Sequence, residues 1–270
     1  MIRNSKSHAP GAFVASGPLP AEAAPAAPAL LTGADSTRTR LLLAAGEAFA
    51  EHGFHGTTIG MICKAAGANI AAVNYHFGGK ERLYEETIKF GRASCSHSRL
   101  LESDELARME PRAALRAFID AYIQTLLRKD RLQWHTRIIC RELAEPTPAL
   151  EEFIRDVIKL RRKRLGDIIH RLATRRLGPG EMDMLIESII AQGQFYYRCR
   201  PIILRLRGKD HFDAGGLREI VDHITRFSLG GIAAIAEGGP SLNVNPPFAA
   251  GHHAGKADRA VAGGTGAKPR

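Results

Sequence analysis

Residues 57–83 read TTIGMICKAAGANIAAVNYHFGGKERL, and this stretch decides the fold of the 270-residue chain. Thr57 and Thr58 offer hydroxyl groups that can cap the start of a short helix through Ile59, Ile62 and Ala65. Gly67 interrupts that helix, because glycine is the residue that most easily adopts the positive φ of a tight turn. The pattern therefore predicts a short helix that ends in a turn.

A second short helix follows the turn, over residues 70–76. Asn69 is its predicted cap, Gly78-Gly79 end it, and a longer helix opens at Lys80. Two short helices at a glycine-containing turn, followed by a stabilising helix, are typical of a helix-turn-helix, whose second helix lies in the DNA major groove. Because one such helix makes few base contacts, we expect a dimer on a palindromic operator.

The second short helix carries the side chains expected at the DNA. Its small alanines allow close approach to base edges, and asparagine can pair with adenine through two hydrogen bonds. Tyrosine, histidine and lysine suit phosphates, which position the duplex without reading its sequence. Packing alone is the alternative for Tyr75 and His76, whereas Val73 and Phe77 are predicted core residues. The predicted DNA-binding set is Thr57, Lys64, Asn69, Ile70, Ala71, Ala72, Asn74, Tyr75, His76 and Lys80.

The segment from about Thr37 to Phe90 resembles the DNA-binding domain of the TetR family of bacterial repressors. The resemblance rests on the strings Leu41–Ala50, Glu51-His52-Gly53-Phe54, Thr57-Thr58, Ala65–Asn69, Tyr75-His76-Phe77 and Lys80-Glu81 with Leu83. The chain departs from the family pattern at Asn74, where an aromatic residue is usual, and at Asn69, where Ser or Thr is usual. The resemblance implies three DNA-binding helices, a connecting fourth helix and a C-terminal helical bundle.

The C-terminal half resembles the CerR/CecR-like branch of that family. Two strings carry this resemblance, namely residues 134–150 with Trp134-His135, Arg141-Glu142-Leu143 and Pro146-Thr147-Pro148, and residues 188–200 with Gln192-Gly193-Gln194 and Arg200. The branch implies a ligand-sensing, dimerising domain that is often tied to the control of drug-export genes.

Composition limits the class of protein. A net charge of +10 and a pI near 9.8 suit a polyanionic partner such as DNA. The cysteines at 63, 95, 140 and 199 lack metal-site spacing, so we expect reduced thiols, no cofactor and no metal, with Cys63 in the core. No window reaches the roughly 20 apolar residues of a membrane span, and no signal peptide is evident, so we expect a cytoplasmic protein.

Helical periodicity dominates the chain, and strand signals are almost absent. We predict an all-α fold with an N-terminal helix-turn-helix domain, a C-terminal ligand-binding and dimerisation bundle, and about nine helices. The predicted helices cover about 37–52, 58–66, 70–76, 80–96, 111–127, 132–143, 148–172, 182–206 and 217–237. The predicted domains are a disordered Ala/Pro-rich arm at 1–35, the DNA-binding domain with its connecting helix at 36–95, the effector and dimerisation domain at 96–238, and a disordered tail at 239–270.

The effector site is expected to combine apolar walls with a few polar anchors. The candidate residues are Phe118, Tyr122, Trp134, Arg137, Ile138, Arg141, Gln192, Phe195, Tyr196 and Arg200. Ordinary core or surface packing is the alternative for each of them. The last two helices are the predicted dimer interface, because Gly230-Gly231 and Ala233-Ala234 let a partner helix approach closely. The basic run Arg161–Arg164 is predicted to span the solvated side of a helix.

Three classes of function follow. The leading hypothesis is a homodimeric repressor released from palindromic double-stranded DNA by a small apolar or amphipathic effector. A ligand-independent DNA-binding protein of the same fold, with an architectural or cell-division role, is the alternative. An enzyme is disfavoured, because the sequence contains no GxSxG, P-loop or HExxH motif.

Overall fold

A computed structural model describes residues 36–127, 133–208 and 211–238, and it is all-α with no strand in these ranges. The predicted fold class is therefore confirmed. The predicted N-terminal arm, the predicted tail and the predicted break at Lys129-Asp130 lie outside the described residues. The boundary predicted between residues 95 and 96 stays a prediction.

The first four helices are α1 (Thr37–Gly56), α2 (Ile59–Ala66), α3 (Ile70–Phe77) and α4 (Lys80–Ser94). The remaining helices are α5 (Ser96–Leu100), α6 (Glu105–Arg108), α7 (Pro111–Leu127), α8 (Gln133–Glu142), α9 (Pro148–Phe153), α10 (Lys159–Leu172), α11 (Pro179–Arg198), α12 (Arg200–Arg207) and α13 (Ala214–Ala236). A π-helical turn at residues 154–158 joins α9 to α10. Each of the nine predicted segments is helical, but the described ranges contain thirteen α-helices and not about nine.

The structure refines the predicted helices at three places. The short helices α5 and α6, which lack a long apolar repeat, were not predicted. The helix predicted over residues 182–206 is divided at Cys199, where ψ of 9° departs from helical geometry before α12 begins. The first helix is interrupted at Gly53, whose φ of 72° and ψ of 176° are not helical, so its regular part ends near His52 as predicted and a short helical turn continues to Gly56.

Two hydrophobic clusters organise the described residues. The first cluster includes Leu41, Phe49, Ile62 and Leu83 from α1, α2 and α4. The second surrounds α7, which contacts α5, α10, α11 and α13. The first cluster also includes Trp134 and other residues of α8, α9 and the π-helical turn, so a part of the chain that follows α7 packs against the N-terminal helices.

Candidate functional site

The turn between α2 and α3 has the geometry that its residues predict. The Thr58 hydroxyl accepts a hydrogen bond from the Met61 N–H at 3.2 Å and caps α2. Gly67 closes α2 with φ of 59°, a left-handed conformation that costs little without a Cβ. The Asn69 side-chain oxygen accepts from the Ala72 N–H at 2.9 Å and caps α3. The helix-turn-helix is thus fixed by short-range hydrogen bonds.

The two faces of α3 differ sharply in burial. Val73 and Phe77 are 0% and 3% exposed and join the first hydrophobic cluster, which confirms the prediction that they are core residues. Tyr75, on the opposite face, is 86% exposed, and Ile70, at the start of the helix, is 56% exposed. An anchored inner face and an outer face of exposed apolar and aromatic groups make α3 a rigid element that can present side chains to a partner.

Nine of the ten predicted DNA-contacting residues are accessible. Lys80 is partly covered, with its ammonium 4.6 Å from the centre of the Phe54 ring, and the His76 ring lies edge-on to Tyr75 at 5.0 Å. The exposed members are Lys64, Asn69, Ile70, Ala71, Asn74 and Tyr75, and the half-buried ones are Ala72, His76 and Lys80. The assignment of these residues to DNA stays a prediction.

Thr57 is the exception, and its predicted DNA contact needs correction. Its side chain is 1% exposed, and its hydroxyl donates to the Gly53 carbonyl at 2.7 Å and reaches the Ala48 carbonyl at 3.0 Å. The hydroxyl is therefore committed to the end of α1. Thr58, and not Thr57, is the residue that caps α2.

A cavity of about 630 Å³ lies between α7, α8, α11 and the helix formed by α9 and α10. Its volume falls within the range of about 300–1,000 Å³ that is typical of small-molecule sites. Most of its surface is apolar. The residues that line it include Phe118, Tyr122, Leu126, His135, Ile139, Leu143, Leu150, Phe153, Arg161, Arg162, Glu187, Gln194 and Arg198.

Only Phe118 and Tyr122 of the ten predicted effector residues line this cavity. Four others lie on the face of α8 that packs on α1. Trp134 and Ile138 are 1% and 0% exposed in the first cluster, Arg137 pairs with Glu47 at 2.8 Å, and Arg141 donates to the Glu51 carbonyl at 2.9 Å. Their helical spacing does place these four residues on one face of α8. That face packs on α1, and the cavity lies at another face.

The remaining predicted effector residues also lie elsewhere. Phe195 is 56% exposed, Gln192 donates to the Ser188 carbonyl of its own helix, and Tyr196 packs against the second hydrophobic cluster. The Arg200 guanidinium stacks 4.7 Å from the centre of the Phe212 ring. The cavity instead meets the other face of α11, through residues such as Glu187 and Gln194.

The polar lining of the cavity was largely missed from the sequence. Gln194 donates to the Tyr122 hydroxyl at 2.9 Å, and burial raises the pKa of Tyr122 to about 12. His135 is 7% exposed, and burial, with Arg161 and Arg92 nearby, lowers its pKa to about 4. The imidazole is therefore neutral near pH 7. His135 follows Trp134 in the sequence, and the sequence does not indicate which of these two side chains lies against the cavity.

The basic run Arg161–Arg164 is not a simple solvated face. Arg161 and Arg164 keep only 14% and 17% of their side chains exposed, and Arg164 pairs with Asp104. Arg162 pairs with Asp183 at 2.6 Å, and Lys163 pairs with Asp167 at 2.8 Å. The acidic partners of the two buried arginines, Glu102 and Asp104, lie between α5 and α6, far away in the sequence.

Large exposed apolar side chains of the described residues concentrate on two surfaces. Met61, Ile70 and Tyr75 lie on α2 and α3. Six others lie on the last three helices, and Leu143 stands at the cavity. The six are Met184, Phe195, Ile202, Leu206, Phe227 and Ile235. Such groups indicate an interaction surface where they form one contiguous patch, whereas single exposed apolar residues are ordinary.

Helices α11 and α13 each expose a row of apolar or small residues at helical spacing. Met184, Ser188 and Phe195 are exposed along α11, and Phe227, Gly230 and Ala234 are exposed along α13. No atom lies within 4 Å of a Cβ built on Gly230 or Gly231, so this part of α13 has no covering element in the described chain.

The described ranges contain neither a membrane-spanning helix nor a cluster of metal ligands. Within the described ranges, no helix has the length and apolarity needed to cross a membrane. No three His, Cys, Asp or Glu side chains of the described chain are grouped as metal ligands. Cys63 is buried in the first cluster, as predicted, and burial raises the pKa of its thiol.

Comparison with protein families gives two matches along the chain. Residues 41–87 match the family described as bacterial regulatory proteins, tetR family. Residues 111–232 match the C-terminal domain of the HTH-type transcriptional dual regulator CecR. Together these matches confirm both resemblances drawn from the sequence.

Individual proteins agree with the family matches. The chain is 42% identical over 57 residues to the HTH-type transcriptional regulator UidR of Escherichia coli K12, a match spanning 21% of this chain and 29% of UidR. It is 27% identical over 197 residues to the regulator RutR of the same organism, covering 71% of this chain and 88% of RutR. The crystal structure of AibR in complex with isovaleryl coenzyme A and operator DNA shares the fold, with a TM-score of 0.54, 18% identity, and coverage of 71% of this chain and 97% of AibR.

Proposed function

Because this chain belongs to the TetR family of DNA-binding transcriptional regulators, we propose that it is a homodimeric repressor that a small, largely apolar effector releases from a palindromic operator. The family consists of regulators and not of enzymes. One observation carries the proposal. Helix α8 forms a wall of the cavity and also packs against α1 and α4, both of which contact α3.

The DNA-reading part of the proposal rests on α3. Ile70, Ala71 and Asn74 are accessible for the major groove, and Tyr75 and Lys64 are accessible for phosphates. The buried Val73 and Phe77 keep this helix at a fixed angle to α1 and α2. Because each α3 is held rigidly in its subunit, the affinity for the operator would depend on the distance between the two α3 helices of the dimer.

The dimer is supported by the exposed stripes of α11 and α13. These helices contact each other, and each leaves apolar or small residues uncovered. Two helices from each subunit would make a four-helix interface with two-fold symmetry, the arrangement that a palindromic operator requires.

The coupling between effector and DNA is proposed to run through α8. Trp134 lies so close to α1 that a Cβ on Gly46 would stand 2.5 Å from its ring, and His135 approaches Gly91 of α4 with similar closeness. Glu142, at the end of α8, accepts a hydrogen bond from the Tyr84 hydroxyl of α4 at 2.5 Å. A displacement of α8 therefore cannot occur without moving α1 or α4.

An effector shifts the DNA affinity only as far as it binds the two arrangements of these helices differently. AibR, which has this fold, was crystallised with both an acyl coenzyme A and its operator. That pairing supports a ligand-responsive role for this chain. Drug-export genes are the proposed targets, as the CerR/CecR-like C-terminal half implies.

The experiment is a footprint of the purified full-length protein on the DNA that flanks its own gene, taken across a salt series. We expect protection of a short palindrome at physiological salt, and we expect the Tyr75→Ala variant to need about five- to tenfold more protein for the same protection. Specific protection that no candidate effector relieves would favour the ligand-independent alternative. Only diffuse protection that disappears with moderate salt would contradict a sequence-specific repressor.

A further inference from the structure

Two arginines share a single carboxylate beside the cavity. Arg92 donates to Glu102 Oε2 at 2.8 Å, and Arg161 donates to Glu102 Oε1 at 2.9 Å. Arg161 also donates to the Ser98 hydroxyl. The side chains of Arg161 and Glu102 are 14% and 15% exposed. This cluster, which we call the Arg92–Glu102–Arg161 triad, therefore retains one positive charge in a poorly solvated place.

Two polar atoms at this wall have no hydrogen-bond partner among the described residues. They are Nε of Arg161 and Nε2 of His135, and both residues line the cavity. A buried donor without a partner is costly, and a buried positive charge favours a nearby anion. His135 is 7% exposed, so its unpartnered nitrogen is shielded from bulk water.

The other charged residues of the cavity do not provide an equivalent group. Arg162 is held by Asp183 at 2.6 Å and approaches Glu187 at 3.7 Å, so its charge is already compensated. Arg198 is exposed to solvent. The remaining wall is mostly apolar, with Leu126, Ile139, Leu150 and Phe153 among its residues.

We propose, on the basis of the effector role proposed above, that the cavity binds an amphipathic carboxylate. Its carboxylate accepts hydrogen bonds from Arg161 Nε and from His135 in the tautomer that is protonated on Nε2. Its apolar body lies against the leucine, isoleucine and phenylalanine side chains of the opposite walls. The Gln194 side-chain oxygen, which also has no partner among the described residues, is placed to accept a hydrogen bond from a polar substituent on that body.

The first test compares ligands that differ only in charge. Saturated straight-chain carboxylates of roughly eight to twelve carbons, a size that suits a cavity of this volume, are titrated by calorimetry into the full-length protein below their micellar concentrations. The matched primary alcohols are titrated in parallel. We expect the carboxylate to bind at least about tenfold more tightly than the alcohol of equal length. Equal affinities of the two ligands would overturn the proposal.

The second test removes the charge from one wall. In Arg161→Gln we expect carboxylate affinity to fall at least about tenfold while alcohol affinity is retained. Retained alcohol binding also reports that the cavity is folded, and Arg161→Lys should restore part of the preference for carboxylate. Lys163→Gln, two residues along the same helix and outside the cavity lining, is the matched control and should keep the wild-type preference. A preference for carboxylate that survives in Arg161→Gln would overturn the role of Arg161.

Operator release is measured separately on the same ligands. Carboxylates that bind selectively but leave the operator footprint unchanged would support the carboxylate site and contradict the proposed effector role. Neutral alcohols that bind as tightly and release the operator as well would support the effector role and contradict the carboxylate site. The two proposals therefore fail by different results.

Discussion

The DNA-reading unit and the cavity differ in how far apart in the sequence their parts lie. The caps of α2 and α3 join residues three positions apart, from Thr58 to Met61 and from Asn69 to Ala72. The cavity is assembled from residues between Phe118 and Arg198 on several helices. A unit held by local hydrogen bonds keeps its shape while it moves, whereas a cavity between helices changes whenever one of them shifts. This difference suits the proposed function, in which a ligand that deforms the cavity moves the rigid α2–α3 unit.

Helix α8 belongs to both regions, and its two faces repeat the contrast. One face is closely packed, with Trp134 against Gly46. The other face, with Ile139 and with Leu143 just after the helix end, borders the cavity, whereas His135 both lines the cavity and packs against Gly91 of α4. A ligand that fills the cavity is the simplest cause of a displacement of α8. The face of α8 that carries Trp134 is already in close contact with α1.

The largest expected effect is on the packed face of α8. Trp134→Ala removes a fully buried ring, and we expect it to lower the free energy of unfolding by about 3–5 kcal/mol. Chemical denaturation measures this loss. Leu143→Ala is the control at the cavity, because Leu143 is 50% exposed, and it should cost less than about 1 kcal/mol. Equal losses in the two variants would remove the contrast between the packed and open faces.

The second prediction concerns the pH dependence of stability. Burial lowers the pKa of His135 to about 4, whereas the unfolded chain has the ordinary value of about 6.5. As pH falls from about 6.5 to about 4, the unfolded chain takes up a proton that the folded chain does not, so the free energy of unfolding should fall by about 3 kcal/mol. Below about pH 4 this residue causes no further loss.

Denaturation of the wild-type protein and of His135→Gln at about pH 7.5 and pH 5 checks this effect. Glutamine does not titrate, so the variant should lose about 2 kcal/mol less than the wild type between the two pH values. If the free energy of unfolding falls by the same amount in both proteins, His135 does not stay neutral in the folded chain between these pH values.

Much of the fold could be predicted because its signals are local. Gly67 and Asn69 mark the turn by their own backbone and side-chain chemistry, and Pro148 marks a helix start in the same way. Long apolar repeats then predict the remaining helices. The short α5 and α6 contain too few residues to show a repeat, and the break at Cys199 lies in an uninterrupted helical pattern.

The cavity could not be predicted to the same degree, because it depends on how each helix is rotated about its axis. Trp134 and Ile138 share one face of α8, and His135 and Ile139 share the other, so both faces offer apolar and polar groups. Their partners lie on α1 and α10, far away in sequence. Arg161 illustrates the same limit, since its acidic partner Glu102 lies 59 positions away.

The third prediction tests whether α3 is the rigid reader. Tyr75 is 86% exposed, so Tyr75→Ala should leave the melting temperature unchanged and weaken operator binding about five- to tenfold. Lys80→Ala should lower the slope of log affinity against log salt by about 1, as expected for one lost phosphate contact. Fluorescence anisotropy with operator DNA measures both quantities. Unchanged affinity in both variants would contradict the placement of α3 in the groove.

The smallest expected effect separates a structural hydroxyl from a DNA contact at Thr57. In Thr57→Val the hydrogen bonds to the Gly53 and Ala48 carbonyls are lost, and we expect the free energy of unfolding to fall by about 1 kcal/mol. Thr57→Ser keeps the hydroxyl and should lose less. Because this hydroxyl is buried, neither variant should change the salt dependence of operator binding. A smaller salt slope in Thr57→Val alone would mean that the hydroxyl turns outward to a phosphate when DNA binds, and that the end of α1 is less rigid than the caps of α2 and α3.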